Sequence, residues 1–100
     1  MLTKEQIAHK LRENYQYLAA EFGLKKIGLF GSYAKGTQQD RSDIDLIVDF
    51  ERPIGLQFIE FVEYLEALFG KKTDVITVAG LKGIRSKNIA ESIEQTVEYV

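Results

Sequence analysis

A mixed α/β fold, with a sheet of about four strands flanked by about three helices, is predicted by three features of the sequence. Apolar residues recur at helical spacing near the amino terminus and again past the midpoint. Between these stretches lie short β-prone runs, one of which alternates strictly between acidic and apolar residues. Some runs follow one another directly and others are separated by a helix, a pattern that yields a mixed sheet with helices packed against it.

The first helix starts after Thr3, an N-cap whose capping box is completed by Gln6, with Leu2 and Ile7 placed for a hydrophobic staple. Ile7, Leu11, Tyr15, Leu18 and Phe22 form its apolar stripe, and Gly23 ends it. Lys26 to Phe30 reads as a buried strand stopping at Gly31, Ser32 to Gly36 as one helical turn, and Thr37 to Arg41 as a polar loop. From Asp43 to Phe50, residues Ile44, Leu46, Val48 and Phe50 fall on one face, and Asp43, Asp45, Ile47 and Asp49 on the other. That is a strand with one face in the core. Pro53 suits the entry to a second helix with apolar Leu56, Ile59, Val62, Leu65 and Phe69, closed by Gly70. Lys72 to Val78 reads as a third strand with Asp74, Ile76 and Val78 on one face. A weaker helix is expected between Leu81 and Ile93, and Thr96 to Val100 is β-prone enough for a short last strand.

With 100 residues, 45% of them hydrophobic, the chain has room for one core, so a single domain over 1–100 is expected. A net charge of −2 argues against dedicated binding of long nucleic acid, which calls for a basic excess. The local clusters Lys25-Lys26, Lys71-Lys72, and Lys82 with Arg85 and Lys87 read either as solvated surface or as contacts for a smaller anion. The absence of cysteine excludes disulfides and thiolate metal sites. His9, the only histidine, is expected on a helix surface; one imidazole rules out a multi-histidine zinc site and does not fit a Ser/His/Asp triad. The amino-terminal MLTKEQIAHK lacks the apolar core of a signal peptide, and no apolar run approaches a membrane span. No membrane association and a cytoplasmic location are expected.

The chemistry is concentrated in GSYAKGTQQDRSDIDLIV, from Gly31 to Val48. A strand that stops at Gly-Ser and enters a helical turn presents unpaired N–H groups to an anion. Glycine at 31 permits close backbone approach, and the Ser32 hydroxyl adds a hydrogen bond. Taken alone, this is equally an ordinary turn. Asp43 and Asp45, two apart on a strand, point to one face with roughly 6–7 Å of rise between them, and such oxygens suit magnesium or manganese. Asp74 opens the next strand; if the two strands pair, three carboxylates converge and could hold two cations for in-line phosphoryl displacement. Such chemistry requires neither a side-chain nucleophile nor a histidine base.

Gly31-Ser32, ten intervening residues, then Asp43-Ile44-Asp45 resembles the signature of the DNA polymerase β-like nucleotidyltransferase superfamily. More narrowly it resembles the minimal nucleotidyltransferases of prokaryotes, stand-alone domains of about this size. The resemblance implies the polymerase β-like fold, with Ser32 on the triphosphate of ATP, Asp43 and Asp45 on Mg2+ (or Mn2+), and Asp74 completing the site near an acceptor hydroxyl. Position 35, commonly arginine in the related motif, is Lys35, which keeps the charge but loses the planar fork for bidentate phosphate contact. Larger members append a helical domain that helps to hold base or acceptor; none is expected here, so the resemblance implies that the acceptor or a partner subunit supplies part of the pocket.

Minimal nucleotidyltransferases of this type are typically paired with a HEPN-family ribonuclease toxin. The resemblance implies an antitoxin that transfers AMP from ATP to a tyrosine hydroxyl of the cognate toxin, in a hetero-oligomer with it. Two alternatives stay open: occlusion of the toxin without catalysis, and nucleotidyl transfer to a small molecule or RNA end. Tyr33, next to the Gly-Ser pair, either stacks on the base or packs locally or against a partner.

Overall fold

The computed structural model describes residues 2–83 and 87–100. Helix α1 runs Lys4–Phe22, strand β1 Leu24–Phe30, helix α2 Gly31–Lys35 and strand β2 Ile44–Phe50. Helix α3 follows at Gln57–Phe69, strand β3 at Thr73–Thr77, helix α4 at Val78–Lys82, helix α5 at Lys87–Thr96 and strand β4 at Glu98–Tyr99. At the start of α1 the Thr3 hydroxyl accepts from the Gln6 amide at 3.1 Å, while the Thr3 amide donates to Gln6 Oε1 at 2.9 Å. That reciprocal pair satisfies two helix-end donors. At the other end, Gly23 adopts a left-handed conformation (φ 74°) and its amide closes the last turn on Ala19.

The sheet order is β3-β2-β1-β4. β1 lies antiparallel to β2 and to β4, whereas β2 and β3 run parallel across the α3 connection, as the mixed pattern of connections predicts. Ile44, Leu46 and Val48 of β2 and Ile27 and Leu29 of β1 face one way, into a core shared with Ile7, Leu11, Leu18 and Phe22 of α1 and Phe61 and Leu65 of α3. Alternation then sends Asp45, Ile47 and Asp49 to the opposite face. That face is not uniformly open: Ile47 is 1% exposed and Leu81 4%, both outside the main cluster, where α4 contacts β2 and β3.

Several elements differ from the sequence expectation, each for a local reason. β1 begins at Leu24, two residues early, with an irregularity in its pairing between Leu24 and Lys26. β2 begins at Ile44, so Asp43 stands immediately before it. Helix α3 does not begin at Pro53: Ile54, Gly55 and Leu56 form a turn, their carbonyls accepting from Gln57, Phe58 and Ile59. Its buried stripe is Phe61, Leu65 and Phe69, leaving Leu56 85% and Ile59 58% exposed. β3 stops at Thr77, whose hydroxyl caps α4 by accepting from Gly80 N–H at 2.8 Å; Val78 is therefore helical. The expected third helix is two, α4 and α5, the residues between Gly83 and Lys87 lying outside the described part, as do Arg85 and the side chain of Lys87. Five helices are thus described where about three were expected, two of them single turns. Among the described residues no helix is long and apolar enough to cross a membrane.

Candidate active site

Sheet register brings the sequence motif together. β1 pairs Phe30 with Asp45, and β2 pairs Asp45 with Asp74. Paired neighbours share a face, so Asp74 projects on the same side as Asp45, with the two strands about 4.8 Å apart. Asp43, two residues before Asp45, completes an acidic group at the amino-terminal end of the parallel β2–β3 pair. Asp45 is partly buried, Asp43 half-exposed and Asp74 exposed.

The electrostatics follow from this placement. Burial raises the Asp45 carboxyl from its ordinary 3.8 to about 6, with repulsion from Asp74 and then Asp43 adding to it. Asp45 therefore sits where negative charge is crowded and poorly solvated. An all-oxygen donor set short of positive charge fits a hard divalent cation. Among the described residues, however, no three acidic or histidine side chains form a ready-made metal cage, so the carboxylates would have to draw in around an ion.

Gly31 opens α2 directly beside Asp45. Its φ of +74° lies in the left-handed region, and a Cβ there would fall on the Asp45 carboxylate. Glycine is required at this position twice over, by backbone conformation and by the close approach of the aspartate. The N-cap of α2 is Phe30, which gives no side-chain cap, so its first-turn amides remain available to an anion alongside Ser32. Lys35 is the last residue of α2 and exposed; among the described residues it has no ion-pair partner. Tyr33 is 1% exposed beneath α2, packed in the core cluster, so base stacking by Tyr33 is ruled out.

The connection from α2 to β2 is fixed by contacts that the sequence does not advertise. Gln39 N–H donates to Ser42 Oγ at 2.9 Å and Ser42 N–H to the Gln39 carbonyl at 2.9 Å, closing the turn that delivers Asp43. Lys71 Nζ donates to the Asp40 carbonyl at 2.7 Å, and Ile44 N–H donates to the Lys72 carbonyl at 3.2 Å. Lys72 Nζ stands 4.0 Å from Asp43 Oδ2. Lysines 71 and 72 read in the sequence either as solvated surface or as contacts for a smaller anion; the signal for Lys72 is that it lies two residues before Asp74 on an extended segment. Two clefts of about 460 Å³ lie away from the carboxylates, one around Pro53, Ile54 and Phe58, the other around Leu2, Gln6 and Tyr33. The acidic group sits instead at the end of the sheet where β2 and β3 begin.

A glycine-opened helical turn abutting an Asp-x-Asp motif, on a mixed sheet of this order, is the arrangement of a nucleotidyl-transferring class of domain. The nucleotidyltransferase domain family matches residues 5–99, and the chain belongs to that family. It is 43% identical over 101 residues to the protein adenylyltransferase MntA of Thermococcus cleftensis, covering 100% of this chain and 98% of that one. A solved structure assigned to the minimal nucleotidyltransferases superposes with a TM-score of 0.73 at 26% identity, over 97% of this chain and 95% of the other. A toxin–antitoxin structure solved with AMP-PNP gives a TM-score of 0.65 at 25% identity, over 98% of this chain and 72% of that one.

Proposed function

We propose that this chain is an antitoxin that acts as a protein adenylyltransferase: it transfers AMP from ATP, with magnesium, to a tyrosine hydroxyl of a cognate HEPN ribonuclease toxin and so silences it. The observation that carries this is the in-register pairing of Asp45 with Asp74 beside the Gly31 turn. Whole-length similarity to a protein adenylyltransferase, and the likeness to a toxin–antitoxin structure solved with an ATP analogue, support a protein acceptor and a toxin partner.

In the reaction the acceptor hydroxyl loses its proton and its oxygen bonds the α-phosphorus of ATP. The bond from that phosphorus to the bridging oxygen breaks, and the electron pair leaves on pyrophosphate. The α2 amides at Gly31 and Ser32 hold the triphosphate, and Lys35 reaches it from the same turn. Asp43 and Asp45, with Asp74, would hold magnesium or manganese. When bound, the metal supplies charge neutralisation at the leaving group and eases deprotonation of the acceptor. Asp74, the most exposed of the three, faces the acceptor and takes its proton. The whole of residues 1–100 serves as one minimal transferase domain, and the toxin completes the pocket as the second subunit of a hetero-oligomer.

The test is incubation of the chain with α-labelled ATP, magnesium and a candidate HEPN-type toxin. Label on a tyrosine of the partner is expected, falling at least about 10²-fold in Asp43→Asn/Asp45→Asn. Equal labelling by that variant rules the assignment out. Undiminished neutralisation of the partner by the unlabelling variant at stoichiometric amounts assigns silencing to occlusion instead.

A further inference from the structure

Lys72 has no role in the chemistry so far, yet the fold presents it at the reacting centre. Its backbone is pinned there, because its carbonyl accepts the amide of Ile44, the residue between Asp43 and Asp45. Its ammonium lies 4.0 Å from Asp43 Oδ2, and its side chain is 70% exposed, free to meet an incoming group. The neighbouring Lys71 is differently engaged, its ammonium being held by the Asp40 carbonyl at 2.7 Å.

Which substrate Lys72 meets follows from the order of elements across the sheet. The triphosphate turn at Gly31 abuts Asp45 from the β1 side. Lys72 leads into β3, on the far side of β2. Nucleotidyl transfer is an in-line displacement, so the attacking oxygen enters opposite the leaving pyrophosphate. With pyrophosphate held over the α2 turn, the acceptor approaches from the β3 edge, where Lys72 and Asp74 stand.

We infer that Lys72 is the acceptor-side cation of this enzyme, its ammonium hydrogen-bonding the acceptor oxygen as that oxygen gains negative charge during attack on the α-phosphorus. The inference rests on the adenylyl-transfer reading above and assigns a further residue to it. A phenolic acceptor suits such a partner, since a nearby cation favours the ionised form of the phenol. The proton released passes to Asp74.

The experiment compares Lys72→Ala, Lys72→Arg and Lys35→Ala with the unsubstituted full chain. Two quantities are read on each: the equilibrium affinity for ATP with magnesium, and the rate of AMP transfer to the candidate HEPN-type toxin at saturating ATP. Lys72→Ala is expected to lower transfer about 10- to 100-fold, the worth of one charge-assisted hydrogen bond, with ATP affinity unchanged within about twofold. Lys72→Arg recovers most of the rate, and Lys35→Ala shows the opposite split, with weakened ATP binding. A loss of ATP affinity in Lys72→Ala matching its loss of rate would place Lys72 on the nucleotide side and overturn the inference, as would an unchanged transfer rate. Both outcomes leave adenylyl transfer standing. Absence of transfer by the unsubstituted chain overturns that reading and this inference with it.

Discussion

Gly31 and Asp45 are a matched pair. A side chain at 31 meets both an unfavourable backbone conformation and the carboxylate it would displace. Gly31→Ala is accordingly expected to cost about 2–4 kcal/mol in chemical denaturation, against about 1 kcal/mol for Gly36→Ala. At Gly36 the backbone is equally left-handed (φ 75°), but a Cβ would enter open space. Asp45 itself carries a pH signature. Its carboxyl, raised to about 6 in the fold, disfavours the folded state when ionised. That penalty is fully present above about pH 6 and disappears as pH falls through 6 towards the ordinary 3.8. In chelator, Asp45→Asn should raise the melting temperature at pH 8, with the increase vanishing by about pH 4; an increase of the same size at every pH would contradict the crowded-carboxylate account. Tyr33 offers a third check. Its ring is buried, and among the described residues its hydroxyl has no hydrogen-bond partner. Tyr33→Phe is therefore expected to leave stability within about 1 kcal/mol or to increase it, where Tyr33→Ala costs about 3–5 kcal/mol.

At the scale of elements, α3 separates what local pattern can and cannot specify. Apolar residues surround much of this segment, so periodicity alone does not select which stripe faces the sheet. The structure selects Phe61, Leu65 and Phe69, with Phe61 edge-on to Phe22 and Phe50 at centroid distances of 5.3 and 5.2 Å. Phe61→Ala should cost about 3–5 kcal/mol, and Leu56→Ser or Ile59→Ser under about 0.5 kcal/mol, as measured by urea unfolding. Strand β2 was legible because alternation with one face in the core admits a single register, which puts Asp43 and Asp45 together before any partner strand is known. The capping box and Gly23 stop of α1 were legible for a similar reason, since helix ends are satisfied locally. The contacts that set the α2–β2 connection were not. The bond from Lys71 to the Asp40 carbonyl joins residues 31 apart, and the proximity of Lys72 to Asp43 depends on parallel pairing across α3. No local spacing encodes either one.

For the molecule as a whole, the strand order β3-β2-β1-β4 is what turns separate motifs into one site. It seats the Gly31 turn on one flank of Asp45 and Asp74 on the other, while α1 and α3 bury the opposite face of the sheet. The cost of this arrangement is three crowded carboxylates, which the divalent ion and nucleotide of the proposed function would offset. The most direct test is uptake of Mn2+, followed by electron paramagnetic resonance of the free ion, with a non-hydrolysable ATP analogue titrated into the unsubstituted chain and Asp43→Asn/Asp45→Asn. The unsubstituted chain should take up Mn2+ and bind the analogue at least about tenfold more tightly in its presence, and the variant should do neither. Equal uptake by both chains, or nucleotide affinity indifferent to Mn2+, would contradict a metal–nucleotide site built on these aspartates.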